Sequence, residues 1–166
     1  SDHGRVLDAA RLIKALRFDH MNSRFATIRA AHTGTCELLF TRKEYEILRD
    51  TSQARLHHSF LWIKGNPGAG KSTLMKSAYT HGLKIHVKDV TVSHFFSAKG
   101  SLLHHSAEGM YRSLLCQLLE RFPQLSYSLE DLGLHLDEDC TIWRKEHLEM
   151  LLRTAVINLP SKHVTC

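Results

Sequence analysis

The feature that most constrains this chain is a glycine-rich loop that separates a short apolar run from a helical pattern. The loop consists of Gly65, Asn66, Pro67, Gly68, Ala69, Gly70, Lys71 and Ser72. This spacing of glycines, lysine and serine is typical of a Walker A loop, whose backbone N–H groups surround phosphate oxygens. Because glycine has no Cβ, we expect Gly65, Gly68 and Gly70 to permit close approach of the backbone to a ligand.

Each side chain at the end of this loop has an expected role. Lys71 is expected to reach the β- and γ-phosphates of a nucleotide, and the Ser72 hydroxyl to ligate Mg²⁺. Thr73 would reach the α-phosphate, and the helix that follows adds its positive N-terminal end. Residues 65–73 therefore predict a site for ATP or GTP with Mg²⁺. The alternative is a glycine turn that binds nothing, which the strand, loop and helix pattern makes less favourable.

The residues around the loop predict the fold class. The apolar run Phe60–Ile63 is typical of a buried strand in a parallel sheet. Helical periodicity resumes at Lys71, with Gly82 placed as a C-terminal cap. Alternation from Val90 to Phe96 predicts a second strand. We therefore expect an α/β fold: an incomplete P-loop NTPase parallel sheet with flanking helices, preceded by a small helical segment.

Apolar periodicity also predicts the helices elsewhere in the chain. The predicted helical segments are 6–16, 25–39, 42–49, 104–122 and 141–159. The polar stretch Asp50–Gln53 is a candidate linker. We therefore expect an N-terminal helical segment at 1–56 and the N-terminal part of a P-loop NTPase domain at 57–166.

Acidic residues for hydrolysis are harder to find than the phosphate loop. Hydrolysis requires a carboxylate that holds the metal ion and a group that orients the attacking water. The sole candidate is Asp137–Glu138, which follows Leu134–Leu136 and directly precedes Asp139 and a predicted helix. A capping role near the positive end of that helix is favoured for these acids. No catalytic residue is assigned, and whether the chain is an enzyme stays open.

Composition excludes several other classes of protein. No apolar run approaches the length of a membrane span, and no signal sequence is recognisable, so we expect a cytoplasmic protein without a membrane contact. The four cysteines lack metal-binding spacing, and the paired histidines at 57–58 and 104–105 are sequence neighbours whose side chains diverge. The net charge of +5 comes from scattered lysines and arginines. This distribution of charge argues against nucleic acid as a partner.

Several blocks of the sequence resemble fungal NACHT-type signalling NTPases, which belong to the STAND class and are also described by a nephrocystin-like N-terminal domain. The blocks are Leu16–Asp19, Thr27–Cys36, Phe60–Lys76, Phe95–Gly100 and Gly109–Leu115. The resemblance implies a nucleotide-dependent switch in signal transduction of an innate-immunity-like kind, and a full-length protein that forms homo-oligomers. In that family, the strand that begins like Val164–Cys166 continues into the Walker B acids, so we expect this chain to end before them.

Two other classes of function fit parts of the sequence. A small-molecule kinase would share the phosphate loop but needs a lid of clustered arginines after the second strand, where only Arg112 and Arg121 occur in the next helix. A basic nucleic-acid-binding module would account for the positive charge and predicts binding that weakens steeply with salt.

Overall fold

The computed structural model describes residues 8–32, 34–50, 52, 60–85, 89–130, 132, 143–160 and 164–166. Its contacts divide the chain into two units. The first, which we call the core unit, comprises Ser1–Phe25 and His86–Cys166. The second, the loop unit, comprises Ala26–Ile85 and contains the glycine-rich loop. The predicted boundary between segments 1–56 and 57–166 stays a prediction.

Helices account for most of the described residues. The elements in chain order are α1 (Ala9–Leu16), α2 (Ser23–Thr27), α3 (Glu37–Phe40), α4 (Lys43–Arg49), α5 (Lys71–Ile85), β1 (Val90–Thr91), a 3₁₀ helix (Leu102–His105), α6 (Ala107–Arg121), α7 (Leu125–Glu130), α8 (Lys145–Ile157) and β2 (Val164–Thr165). The helices predicted at 6–16, 42–49, 104–122 and 141–159 correspond to α1, α4, α6 and α8. The single helix predicted at 25–39 is wrong, because residues 28–32 and 34–36 are not helical.

The predicted α/β sheet is wrong for the described residues. They contain two strands of two residues each, which pair in parallel with Val90 opposite Val164. The Val92 N–H still donates to Thr165 O at 2.9 Å. At Ser93 a side chain takes over: the Gln117 amide accepts a hydrogen bond from Ser93 N–H and donates one to Ser93 O. The strand predicted over 90–96 therefore ends early, and at Ser93 a glutamine on α6 takes the place of a neighbouring strand.

The expected buried strand at Phe60–Ile63 is also absent. These residues have no regular secondary structure. Phe60 is 63% exposed and Trp62 is 66% exposed. Short apolar runs do not distinguish a buried strand from an unpaired segment, because a strand exists only where a neighbour supplies hydrogen bonds. Gly82 does not end α5 as predicted: it is buried inside that helix, which continues to Ile85.

The core unit is built around α6. Its buried leucines pack with α1, α7 and α8 in one apolar cluster that also includes Val90 and Val92. Close packing of α6 against the 3₁₀ helix depends on Gly109, where a Cβ atom would lie 1.8 Å from the Leu103 carbonyl oxygen. No L side chain fits at that distance, so glycine is required there.

Arg112 of α6 fixes the end of α1. Its Nε donates to Leu16 O at 2.7 Å, and its Nη2 donates to Arg17 O at 3.0 Å and Ala15 O at 3.3 Å. The Trp143 indole donates a further bond to Ala15 O at 3.0 Å. The last carbonyl groups of a helix lack intrahelical partners, and here side chains from other elements satisfy them.

The loop unit buries far less apolar surface. Among its described apolar side chains only Ile28 is buried, whereas Leu38, Met75, Leu83 and Ile85 are exposed. Its described contacts include a hydrogen bond of 2.8 Å from Lys76 Nζ to Ile28 O, and a parallel stack of the Phe40 and His81 rings. No described helix in either unit is both long enough and apolar enough to cross a membrane.

Candidate functional site

The glycine-rich loop, Gly65–Ser72, which we call the phosphate loop after the ligand predicted for it, consists of an irregular segment, a turn at Pro67–Gly68 and the first residues of α5. Gly68 and Gly70 have φ angles of +80° and +81°. This left-handed region strains residues with a Cβ, which explains the need for glycine at these two positions. Gly65 lacks a positive φ, and a Cβ there would make only ordinary contacts with Ala69 and Lys71. The backbone conformation therefore favours glycine at Gly68 and Gly70 but not at Gly65, and the expected close approach to a ligand at all three stays a prediction.

Backbone hydrogen bonds close the loop on both sides of its turn. Ala69 N–H donates to Asn66 O at 3.1 Å, and Leu74 N–H donates to Gly70 O at 2.9 Å. The bond from Leu74 to Gly70 is the first hydrogen bond of the α5 helix. The N–H groups of Lys71, Ser72 and Thr73, in the first turn of α5, therefore have no acceptor within the helix. An anion at this end would meet backbone donors and the positive end of a 15-residue helix.

Lys71 lies across the loop. Its Nζ donates to Gly65 O at 2.7 Å and to Asn66 O at 2.8 Å. An ammonium group has three donors, so one remains after these two bonds and can serve a phosphate oxygen. Lys71 thus stabilises the loop as well as supplying its positive charge, a double role that the sequence motif did not reveal.

The remaining predicted residues lie where a ligand can reach them. Residues 65–70 are exposed, and Lys71, Ser72 and Thr73 are half-buried. The Ser72 hydroxyl is a hard oxygen ligand of the kind that Mg²⁺ accepts, alongside phosphate oxygens and water. The part of the chain that is described has no group of three histidine, cysteine or acidic side chains able to hold a metal ion by itself. Asp137–Glu138, with the neighbouring Asp139, lies outside the described residues.

An aromatic contact further along α5 was not predicted from the sequence. The rings of Phe40 and His81 stack with centroids 3.7 Å apart and planes inclined by 9°. The two residues are far apart in sequence, and neither belongs to a recognisable motif. No local pattern could have predicted their contact.

The fold and the loop together define a mostly helical protein with a small parallel sheet and a glycine-rich loop at the N-terminus of a long helix. A model of the family described as nephrocystin 3, N-terminal, matches residues 34–165. This match covers most of the chain, so the chain belongs to the nephrocystin 3 N-terminal family. Membership is consistent with a module related to signalling. Comparisons with curated proteins and with solved structures gave no match.

Proposed function

We propose that this chain binds a nucleoside triphosphate, ATP or GTP, together with Mg²⁺ through the phosphate loop. The observation that carries the proposal is the arrangement at the start of α5, where two glycines in the left-handed region precede a lysine that bridges the loop. Residues 65–70 would surround the phosphates, Lys71 would bind the β- and γ-phosphates, Ser72 would ligate Mg²⁺ and Thr73 would contact the α-phosphate.

The resemblance to fungal NACHT-type proteins supports a biological role for this binding. In that role the nucleotide stabilises one conformation of a signal-transduction switch over another. The proposal extends to a cytoplasmic, full-length protein that forms homo-oligomers. Hydrolysis would require in addition an acidic residue that holds the metal ion and a group that orients the attacking water.

Substitution of Lys71 tests the site directly. Lys71→Met keeps most of the apolar stem and removes the charge, so we expect its affinity for Mg-ATP and Mg-GTP to fall at least about tenfold, or about 1.4 kcal/mol. The measurement is isothermal titration calorimetry on the parent and on the variant. Lys64→Met is the matched control, because Lys64 is an exposed lysine just before the loop. Equal affinity of Lys71→Met and the parent would refute the proposed site.

Thermal unfolding supplies a second readout and distinguishes the two bases. A ligand at about 100 times its dissociation constant adds about 2.7 kcal/mol to the free energy of unfolding. The base that gives the larger rise in melting temperature at equal concentration is the preferred one. If neither nucleotide changes the melting temperature or releases heat in the calorimeter, the proposal is wrong. Steep loss of oligonucleotide binding between low and moderate salt would instead favour a nucleic-acid-binding module.

A further inference from the structure

A groove of about 500 Å³ lies in the loop unit, C-terminal to the phosphate loop along α5. One wall comes from α3 and the residue that follows it, with Glu37, Phe40 and Thr41. The other wall comes from α5, with Ser77, Thr80, His81 and Lys84. This volume is within the range of sites that hold small molecules. The combination of aromatic rings with a few polar groups is also typical of such sites.

The stacked rings of Phe40 and His81 both border this groove. Tyr45 meets the Phe40 ring at 72°, with centroids 5.4 Å apart, and so helps to fix its orientation. Flat heteroaromatic rings stack on aromatic side chains whatever their substituents, because every base has a π face. The existing stack therefore offers a platform that a further planar ring can extend.

Helix geometry connects the groove with the phosphate loop. Thr73, Ser77, Thr80 and Lys84 follow one another at spacings of four, three and four residues, which places them on one face of α5. Thr73 is the residue proposed to contact the α-phosphate, and Ser77 lies one helical turn further on, about 6 Å along the axis. A nucleotide that lay along this face would extend from the phosphate loop toward His81, which is about 12 Å along the axis from Thr73.

We propose that the groove binds the purine base of the nucleoside triphosphate whose phosphates occupy the phosphate loop. This inference rests on the proposed function and adds to it the part of the site that recognises the base. The base stacks on the Phe40–His81 pair, and the ribose lies against Ser77. A purine is favoured over a pyrimidine because its two fused rings cover more of the stacked surface.

The polar groups of the groove are suited to an amino-substituted base. The hydroxyl protons of Thr41 and Thr80 are already donated to Leu38 O and Lys76 O, at 3.2 and 2.8 Å. These hydroxyls therefore present lone pairs to the groove, and the Glu37 carboxylate adds further acceptors. Lys84 supplies a donor for ring nitrogens. An exocyclic amino group on the base can donate to these acceptors.

Calorimetric titrations of the whole chain with Mg-ATP, Mg-GTP, Mg-CTP and magnesium tripolyphosphate test this inference. Tripolyphosphate carries the phosphates without a base and so reports on the phosphate loop alone. We expect the parent to bind at least one purine nucleotide more tightly than CTP or tripolyphosphate. Phe40→Ala is expected to weaken that binding about 10- to 100-fold and to leave tripolyphosphate binding unchanged, because only the base loses its stacking partner.

Two further variants make the test specific. His81→Ala removes the other ring and is expected to have the same selective effect as Phe40→Ala. Leu38→Ala is the control, because Leu38 lies on α3 with 67% of its side chain exposed and does not line the groove. We expect Leu38→Ala to bind all four ligands as the parent does.

The outcomes separate this inference from the proposed function. If Phe40→Ala and His81→Ala bind ATP and GTP as the parent does, the groove is not the base site, while nucleotide binding at the loop stands. If both variants also lose tripolyphosphate, the rings support the loop rather than the base, and the inference is overturned. If the parent binds none of the four ligands, the proposed function falls, and this inference with it.

Discussion

At the scale of single residues, Lys71 shows how a motif residue acquires a structural role. Its two hydrogen bonds to Gly65 O and Asn66 O link the start of the loop to the start of α5. Removal of the ammonium group therefore leaves two carbonyl groups without this donor, in addition to the lost phosphate contact. Tripolyphosphate binding and thermal stability need to be measured together for any Lys71 variant, because both properties depend on this one group.

Cys116 provides a prediction that is independent of any ligand. Burial raises the pKa of its thiol from 9.0 to about 11, with a smaller contribution from the negative charge of Glu120. The reactive thiolate is therefore about 100-fold rarer than in an ordinary cysteine at pH 8. We expect iodoacetamide to modify half-buried Cys36 while Cys116 stays unmodified in the native protein, as measured by peptide mass spectrometry. If Cys116 is modified in the native protein as fast as in protein unfolded in urea, its burial would be contradicted.

At the scale of elements, the attachment of α1 to α6 depends on Arg112. Its guanidinium is half-buried, donates to three carbonyl oxygens at the end of α1 and lies over the Phe18 ring at 5.4 Å. Burial lowers the pKa of Arg112, and the Glu108 carboxylate opposes that shift. This engagement also removes Arg112 from the candidates for a mobile arginine lid, which weakens the kinase alternative.

Arg112→Lys is expected to destabilise the core unit. Lysine keeps the positive charge, but a single ammonium group cannot reproduce the planar fork that reaches three carbonyl groups. We expect the free energy of unfolding to fall by about 1–3 kcal/mol, because some of the three carbonyl groups would then lack a hydrogen-bond donor in a partly buried site. Urea denaturation measures the change. Arg153→Lys is the control, because Arg153 is exposed on α8, and a similar loss in both variants would refute the capping role.

The helices were more predictable than the sheet for a physical reason. The stripe of Leu148, Leu151 and Ala155 recurs with the helical period, so local sequence carries the information for α8. A strand requires a partner elsewhere in the chain, and at Phe60–Ile63 the apolar run carried no information about one. In the loop unit, the motif that contains Lys71 and Ser72 was recognisable from spacing, but the Phe40–His81 stack depends on a contact between distant segments.

At the scale of the whole molecule, apolar burial is distributed very unevenly between the two units. The main apolar cluster belongs to the core unit, and twelve of its described side chains are almost completely inaccessible to solvent. In the loop unit, the α5 helix has exposed Met75, Leu83 and Ile85, and Gly82 is its one buried residue among those described. Since buried apolar area is the main source of stability, resistance to local unfolding should follow the same distribution.

This distribution predicts that α5 opens more readily than α6 and that nucleotide protects α5 first. Without ligand, we expect hydrogen exchange in α5 to be at least about tenfold faster than in α6, equivalent to about 1.4 kcal/mol. Mg-ATP or Mg-GTP should slow exchange in the first turn of α5, because the phosphates occupy its N–H donors. Hydrogen–deuterium exchange with mass spectrometry measures both helices in one experiment, and in Lys71→Met the nucleotide should no longer slow exchange in the first turn of α5. Equal exchange of α5 and α6 in the absence of nucleotide would mean that the two units unfold as one cooperative structure, and would refute the difference in stability.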